Sequence, residues 1–380
     1  MTAKVDVYQE LRTHIDRMPI AYPETESGVE ISLLKQLFTP DEAEIALELS
    51  AFPEPLGRIH KRLRHNGMTR EQLEHSLDAM VKKGAITGGA MFEKLGKGKC
   101  YSKAQLAIGM FEYQVNRLTP DLIRDFRQYI DKEFFDSFFR EGSAQMRTVP
   151  IAETVSRPNY IAHYDDMKEY IKNLKGDISV MNCVCSQEKG LSGEPCARSS
   201  LRETCIGFHE VAKFFIGKGE ARPISKEEAL TIIDQAEKEG FVLQPENTQN
   251  PRYLCCCCPD CCNVLQGLRR LPRPASFTQS GYQPSVNEAQ CNGCGQCEQS
   301  CPMNAVTVKF GLASVDSERC IGCGVCATRC GLEAIELRKK PDAAAPPKNS
   351  DNLYLKIVYK RFGIAGTMKI IGRALLGMKV

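Results

Sequence analysis

Eight cysteines near the C-terminal end of the chain fall into two runs of identical spacing, CNGCGQCEQSCP at 291–302 and CIGCGVCATRCG at 320–331. Three thiolates separated by two residues each, on a loop that carries glycine, can reach three irons of one cubane. The fourth cysteine of each run starts a helix that points away from them. Zinc knuckles also use four cysteines, but they usually pair two CxxC units at a distance. The CxxCxxCxxxC spacing therefore favours two [4Fe–4S] clusters over zinc. Gly331 stands where the first run has Pro302, a change expected to alter solvent access or potential without removing a cluster. Each run is followed by a short apolar stretch, 305–308 and 334–337, so the segment 285–338 reads as an internal duplication.

This segment resembles the bacterial-type two-cluster ferredoxins, in which the fourth cysteine of each motif ligates the other cluster. The resemblance implies Cys291, Cys294, Cys297 and Cys330 for one cluster, and Cys320, Cys323, Cys326 and Cys301 for the second. It also implies a small duplicated βαβ-type sandwich around both.

Ten more clustered cysteines lie upstream, with Cys100 standing apart from them: Cys183, Cys185, Cys196 and Cys205, then Cys255, Cys256, Cys257, Cys258, Cys261 and Cys262 in the run CCCCPDCC. Side chains alternate faces along a strand, so the six of 255–262 cannot all reach one metal without irregular backbone. Ligands are expected from Cys183, Cys185, Cys196 and Cys205, with some of Cys255, Cys257, Cys258, Cys261 and Cys262 completing that site or forming another. His209, four residues after Cys205, is a weaker nitrogen candidate. An additional [4Fe–4S] cluster, a structural zinc and a thiol/disulfide redox site all remain open, and the cluster is the leading reading. The region 147–270, with a strand entering CxC and a later CCCCxxCC, is similar to the central part of a family of multidomain 4Fe–4S binding proteins of anaerobic microbes. The resemblance covers most of the chain and implies a winged-helix-like start and a two-cluster ferredoxin at the end.

The elements that must position these thiols are of mixed type. Thr39-Pro40-Asp41-Glu42 and Thr69-Arg70-Glu71-Gln72 carry the capping-box pattern. A basic helix over 55–65 lies between them, and Leu73, Leu77, Met80 and Val81 follow at helical spacing. A hairpin is expected to turn at Gly96-Lys97-Gly98-Lys99. Three helices and a hairpin in this order resemble a winged helix over 28–105. A helix from Thr119-Pro120 carries Phe126, Tyr129, Phe134, Phe135, Phe138 and Phe139, suited to core packing or, more sharply, a dimer seam. Further on, a strand at 177–181 leads into Cys183, a capped helix runs from Ser225 to Gly240, and a hairpin over 240–254 delivers the CCCC run. The segments 271–285 and 339–352 read as linkers.

Among 380 residues, 26% are charged and 42% apolar, the net charge is +3, and there are 19 cysteines. No run approaches the roughly 18 apolar residues of a membrane span, and the N-terminal 19 residues lack a signal-peptide core. The chain is accordingly expected in the cytoplasm, where clustered thiols bind metals rather than pair as disulfides. Residues 353–380 carry Lys356, Lys360, Arg361, Lys369, Arg373 and Lys379 without an acid. They read as two short helices broken at Gly363 and Gly366, able to pack on the protein, enter a partner's groove or lie on an anionic membrane surface as a peripheral contact.

These features describe an α+β protein with a winged-helix-like domain at 1–105, a connecting aromatic helix at 106–146, a cysteine-rich central domain at 147–270, a two-cluster ferredoxin domain at 285–338 and a basic amphipathic tail at 353–380. The expected function is single-electron transfer, as a carrier or as an oxidoreductase accessory subunit, with redox proteins as partners. No GxGxxG after a strand marks a flavin or nicotinamide site. The alternative is a redox- or iron-responsive DNA-binding regulator using 28–105. Its second capped helix offers Glu71, Glu74 and Asp78 against Arg70, Lys82 and Lys83, a poor surface for phosphates. The segment before it is basic through Arg58, Lys61, Arg62 and Arg64, but nucleic acid is not the expected partner.

Overall fold

Residues 6–89, 98–135, 138, 144–155, 161–376 and 378–380 are described by the computed structural model, in which the chain forms two units, Met1–Ser143 with Tyr354–Val380, and Ala144–Leu353. The aromatic helix and the C-terminal tail thus belong to the same unit as the N-terminal helices. The central cysteines and the duplicated segment share the other.

In the first unit, the Thr39 hydroxyl accepts from the Glu42 amide (3.3 Å) while the Glu42 carboxylate accepts from the Thr39 amide (2.7 Å). Thr69 and Gln72 do the same at 3.2 and 2.8 Å. Each box satisfies two amides that the first turn leaves unpaired and starts helices Pro40–Leu47 and Arg70–Lys82. Helix Leu56–Leu63 lies between them. Strands β1 (Glu54–Pro55), β2 (Ile86–Gly89) and β3 (Cys100–Lys103) form an antiparallel sheet in the order β1-β3-β2. Gly89 faces Cys100 across the β2–β3 pair; half of the turn expected between these strands, Gly96 and Lys97, lies outside the described residues.

The aromatic stripe packs inward. Phe126, Tyr129 and Phe134 are buried, Phe126 stacks on Phe111 at 3.5 Å between ring centres, and Tyr129 lies 5.0 Å from Tyr22. These rings fill the core of their own unit, while Phe135 and Phe138 are half-buried and Phe139 falls outside the described residues. The C-terminal helix Ser350–Leu375 breaks once, at Gly363 (φ 66°, ψ −173°). The second break expected at Gly366 does not occur, because that residue continues the helix. Arg361 donates to the Asp16 carbonyl (2.6 Å) and Lys379 to the Leu47 carbonyl (2.8 Å), so part of the basic tail is engaged within its own unit.

The second unit is built on a five-stranded antiparallel sheet in the order β6-β4-β5-β8-β7, comprising β4 (Ile178–Asn182), β5 (Glu203–Phe208), β6 (Arg222–Pro223), β7 (Val242–Pro245) and β8 (Tyr253–Cys257). One face carries Ile178, Val180, Ile206, Phe208, Leu243, Leu254 and Cys256, packed with Tyr170 and Ile171 of helix Met167–Asn173 and with Ile233 and Ala236 of helix Lys226–Lys238. Each large apolar side chain removed from water there stabilises by about 1.5–3 kcal/mol.

The duplicated segment adds two antiparallel pairs, β9 (Tyr282–Val286) with β12 (Ile335–Lys339), and β10 (Val306–Lys309) with β11 (Leu312–Val315). Neither expected linker is free of structure. The first supplies β9 from Tyr282 onward. The second is fixed by its own carbonyls, Pro346 and Pro347 accepting from Gln249, and by Ser350, which donates to the buried Glu246 carboxylate (2.8 Å).

Candidate metal centres

Short helices Gln296–Ser300 and Val325–Thr328 each start at a left-handed glycine, Gly295 (φ 79°) and Gly324 (φ 86°). They carry Cys297 and Cys326 and end before Cys301 and Cys330, so the fourth cysteine of each run follows a helix rather than starting one as expected. Gly322 also has a positive φ (65°), and a Cβ there would lie 2.2 Å from the Tyr282 carbonyl oxygen. Any side chain at this position would push β9 away from the cysteine loop.

Cys301, Cys320, Cys323 and Cys326 line one cavity, closed by apolar groups including Pro302, Met303, Ile321 and Leu337. Three of these cysteines come from the second run and one from the first. Electrostatically, Cys301 acts on Cys320, Cys323 and Cys326, and Cys297, itself acted on by Cys294 and Cys291, also reaches Cys326. Backbone amides point at sulfur: Gly322 donates to Cys320 (3.4 Å), Ala305 to Cys301 (3.2 Å) and Ala334 to Cys330 (3.2 Å). Burial raises the Cys320 and Cys323 thiols and pushes Cys326 up to about 12. A cationic metal centre reverses that preference, because coordination favours the thiolate. The apolar wall, the thiols and the aimed amides together fit an iron–sulfur cluster.

The two halves differ in exposure. In the first run Cys294 is exposed, Cys291 half-buried and Cys297 buried, whereas in the second Cys320 is half-buried and Cys323 and Cys326 are buried. The buried half also joins the rest of its unit: the Ile151 amide donates to the Cys323 carbonyl (3.2 Å). Arg319, next to Cys320, donates to the carbonyls of Met303 (3.0 Å), Leu271 (3.2 Å) and Arg269 (2.9 Å).

Strand alternation sorts the central cysteines. In β8, Cys256 lies in the helix-covered core, and Cys255 and Cys257 therefore project from the opposite face. Cys255 pairs in register with Cys205 of β5. The thiols of Cys205, Cys255, Cys257, Cys262, Cys185 and Cys183 neighbour and influence one another in that order. Cys183 caps helix Val184–Leu191 and Cys262 caps helix Asn263–Arg270. Neither cap makes a side-chain hydrogen bond, but the amides of Ser186, Asn263 and Leu265 in these first turns favour the thiolate forms of Cys183, Cys185 and Cys262 respectively. The positive end of each helix thus faces sulfur. Contacts from Cys205 and Cys257 hold Cys255 well below the usual thiol range, and contacts from Cys185 and Cys257 lower Cys262 to about 5. Six thiols, two of them favoured as thiolates, suit a soft metal centre.

Cys196, Cys258 and Cys261 form a separate group, their sulfurs all within 4.8 Å of one another. The nine central candidates are thus divided between two places. His209 joins neither: its ring lies against Gly176, where a Cβ would meet Nδ1 at 2.6 Å, because it sits at the far end of β5 from Cys205. Cys256 packs in the core. Two polar residues that cysteine spacing could not flag, Lys189 and Asp260, meet beside the second group (3.3 Å); the only sequence signal was their closeness to cysteines.

Residues 283–340 match the family model described as "4Fe-4S dicluster domain". The ferredoxin-type protein NapF of Escherichia coli strain K12 is 42% identical over 54 residues, which cover 14% of this chain and 31% of that protein. The NapF proteins of strains CFT073 and O157:H7 match to the same extent. The chain therefore spans about a third of the length of these relatives. No solved structure matches. Together these findings support [4Fe–4S] cluster binding and iron–sulfur electron transfer by this segment. Among the described residues, no helix is long and apolar enough to cross a membrane.

Proposed function

We propose that the chain is a multi-centre electron carrier, or the electron-transferring accessory subunit of an oxidoreductase, with two [4Fe–4S] clusters in 285–338 and a further centre at the six-thiol group. The observation that carries this reading is the single cavity shared by Cys301, Cys320, Cys323 and Cys326, the arrangement that crossed ligation requires. Cys291, Cys294, Cys297 and Cys330 are the matching set for the other cluster.

When bound, such clusters take up and release single electrons. The protein's own part is to hold thiolates, aim amides at sulfur and set exposure, which together tune potential. Exposed Cys294 marks the end where a redox partner protein docks, and the buried set carries the route inward. Arg319 ties Cys320 to the C-terminal end of helix Asn263–Arg270, whose opposite end is capped by Cys262. One short helix therefore bridges the ferredoxin-type segment and the six-thiol group.

In the first unit, the order of helices and strands between Pro40 and Lys103 supports a winged-helix-like reading, used for protein docking. Arg62 is held by the Glu48 carbonyl and the Glu54 carboxylate, and Lys99 pairs with Glu74 and Asp78. These contacts withdraw basic groups from a phosphate-binding surface and favour the carrier over the DNA-binding regulator. The test is a potentiometric titration of anaerobic full-length protein followed by EPR. Reversible one-electron couples with [4Fe–4S] signals are expected; an EPR-silent protein that takes up no electrons would refute the reading.

A further inference from the structure

We propose that Cys196, Cys258 and Cys261 form a mononuclear zinc site, distinct from the six-thiol group and from the ferredoxin-type segment. The inference deepens the reading of the central cysteines given above by assigning a second and chemically different centre to them.

Spacing carries the first part. The Cys196 and Cys258 sulfurs are 3.5 Å apart, and all three lie within 4.8 Å of one another. A tetrahedral ion with Zn–S bonds near 2.3 Å sets its sulfurs about 3.8 Å apart. A cubane takes one thiolate at each of four separate irons and needs them farther apart than that.

The local backbone carries the second part. Residues 258–261 form a Cys-Pro-Asp-Cys turn closed by the Cys261 amide, which donates to the Cys258 carbonyl (3.1 Å). Pro259 fixes one backbone angle of this turn. The third thiol arrives from a distant loop that is clamped to the turn independently of any ion. The Asp260 carboxylate accepts from the Ala197 amide (3.1 Å), and Lys189 donates to the Asp260 carbonyl (2.7 Å). Such outer contacts hold ligands in place before metal arrives.

The two groups are also kept apart by the strand. Cys258 and Cys261 belong to the same buried cluster as Cys256, with Cys196 packed against it, while Cys255 and Cys257 project from the other face. Among the described residues, no fourth cysteine, histidine or carboxylate lies within 4.8 Å of all three sulfurs. The proposed site thus has three protein ligands and leaves its fourth position open.

Metal analysis of full-length protein tests this. Wild type should hold about one zinc per chain. Cys258→Ser with Cys261→Ser should lower zinc at least tenfold and leave iron and sulfide unchanged, while Cys205→Ser with Cys255→Ser should leave zinc unchanged and lower iron and sulfide by about four each per chain. Absence of zinc in wild type, or loss of iron in step with the Cys258/Cys261 change, would overturn the proposal. A disulfide within the trio in anaerobic protein, found by alkylation and mass spectrometry, would also overturn it. Should the variants fail to fold, cobalt substitution of wild type decides: intense tetrahedral thiolate–cobalt bands support the site and their absence refutes it. Zinc at the trio in a chain devoid of iron would leave this inference standing and refute the electron-carrier reading.

Discussion

Cys205 and Cys255 face each other across the antiparallel pair of β5 and β8, so two cysteines far apart in the chain meet through strand register alone. Their partners Cys257, Cys262, Cys185 and Cys183 are brought in by strand alternation and by two helix N-termini. If this group holds a cubane, Cys205→Ser with Cys255→Ser should lower iron and sulfide by about four each per chain. Unchanged iron in a folded double variant would exclude these residues as ligands.

Crossed ligation makes a separate prediction. Replacing Cys301 should disturb the centre of Cys320, Cys323 and Cys326, with which it shares a cavity, and spare the one at Cys291, Cys294 and Cys297. EPR of reduced Cys301→Ser, compared with Cys330→Ser, distinguishes the two signals. Damage to the Cys291 centre by the Cys301 change would reverse the assignment.

Lys103 is buried in β3, donates to the His14 carbonyl (3.1 Å), and is lowered from 10.5 to about 7, chiefly by burial. Between those values the unfolded chain binds more protons than the folded one, so Lys103 makes stability rise with pH, by at most about 1.4 kcal/mol per pH unit. Its penalty is fully present below pH 7. Denaturant titrations across pH 7 to 10.5 should show this slope in wild type and a smaller one in Lys103→Met. Parallel curves would show that Lys103 keeps its proton in the folded state.

The tail exposes Ile364, Met368, Leu375 and Leu376 close to exposed Lys356, Lys360 and Lys369. Such a surface should bind anionic vesicles in a salt-sensitive manner. Ile364→Ser with Leu375→Ser and Leu376→Ser should reduce co-sedimentation several-fold and leave iron content unchanged. Equal sedimentation of the two proteins would remove the membrane contact.

Much of this was legible in the sequence because the signals are local. Capping boxes at Thr39 and Thr69 announce their helices, the strand before Cys183 lies within a residue of its expected place, and the CxxCxxCxxxC spacing carries its own chemistry. The partition of the central cysteines was only half legible. Alternation required the CCCC run to divide between two faces, but which thiols would meet Cys205 or Cys196 depends on sheet order, a long-range property without a local signal. His209 drew notice by closeness in sequence, whereas an extended strand carries it away from Cys205. The proline-rich segments look like linkers by composition, yet the first supplies β9 and carbonyls of the second accept hydrogen bonds from the 249–250 turn, which composition does not encode.

Iron and acid-labile sulfide in anaerobically purified full-length protein, measured beside Cys320→Ser with Cys323→Ser, test the central claim most directly. Two cubanes at 285–338 predict at least about eight of each per chain in wild type and a loss of about four of each in the variant. Wild-type protein with zinc at these cysteines and no sulfide would contradict it.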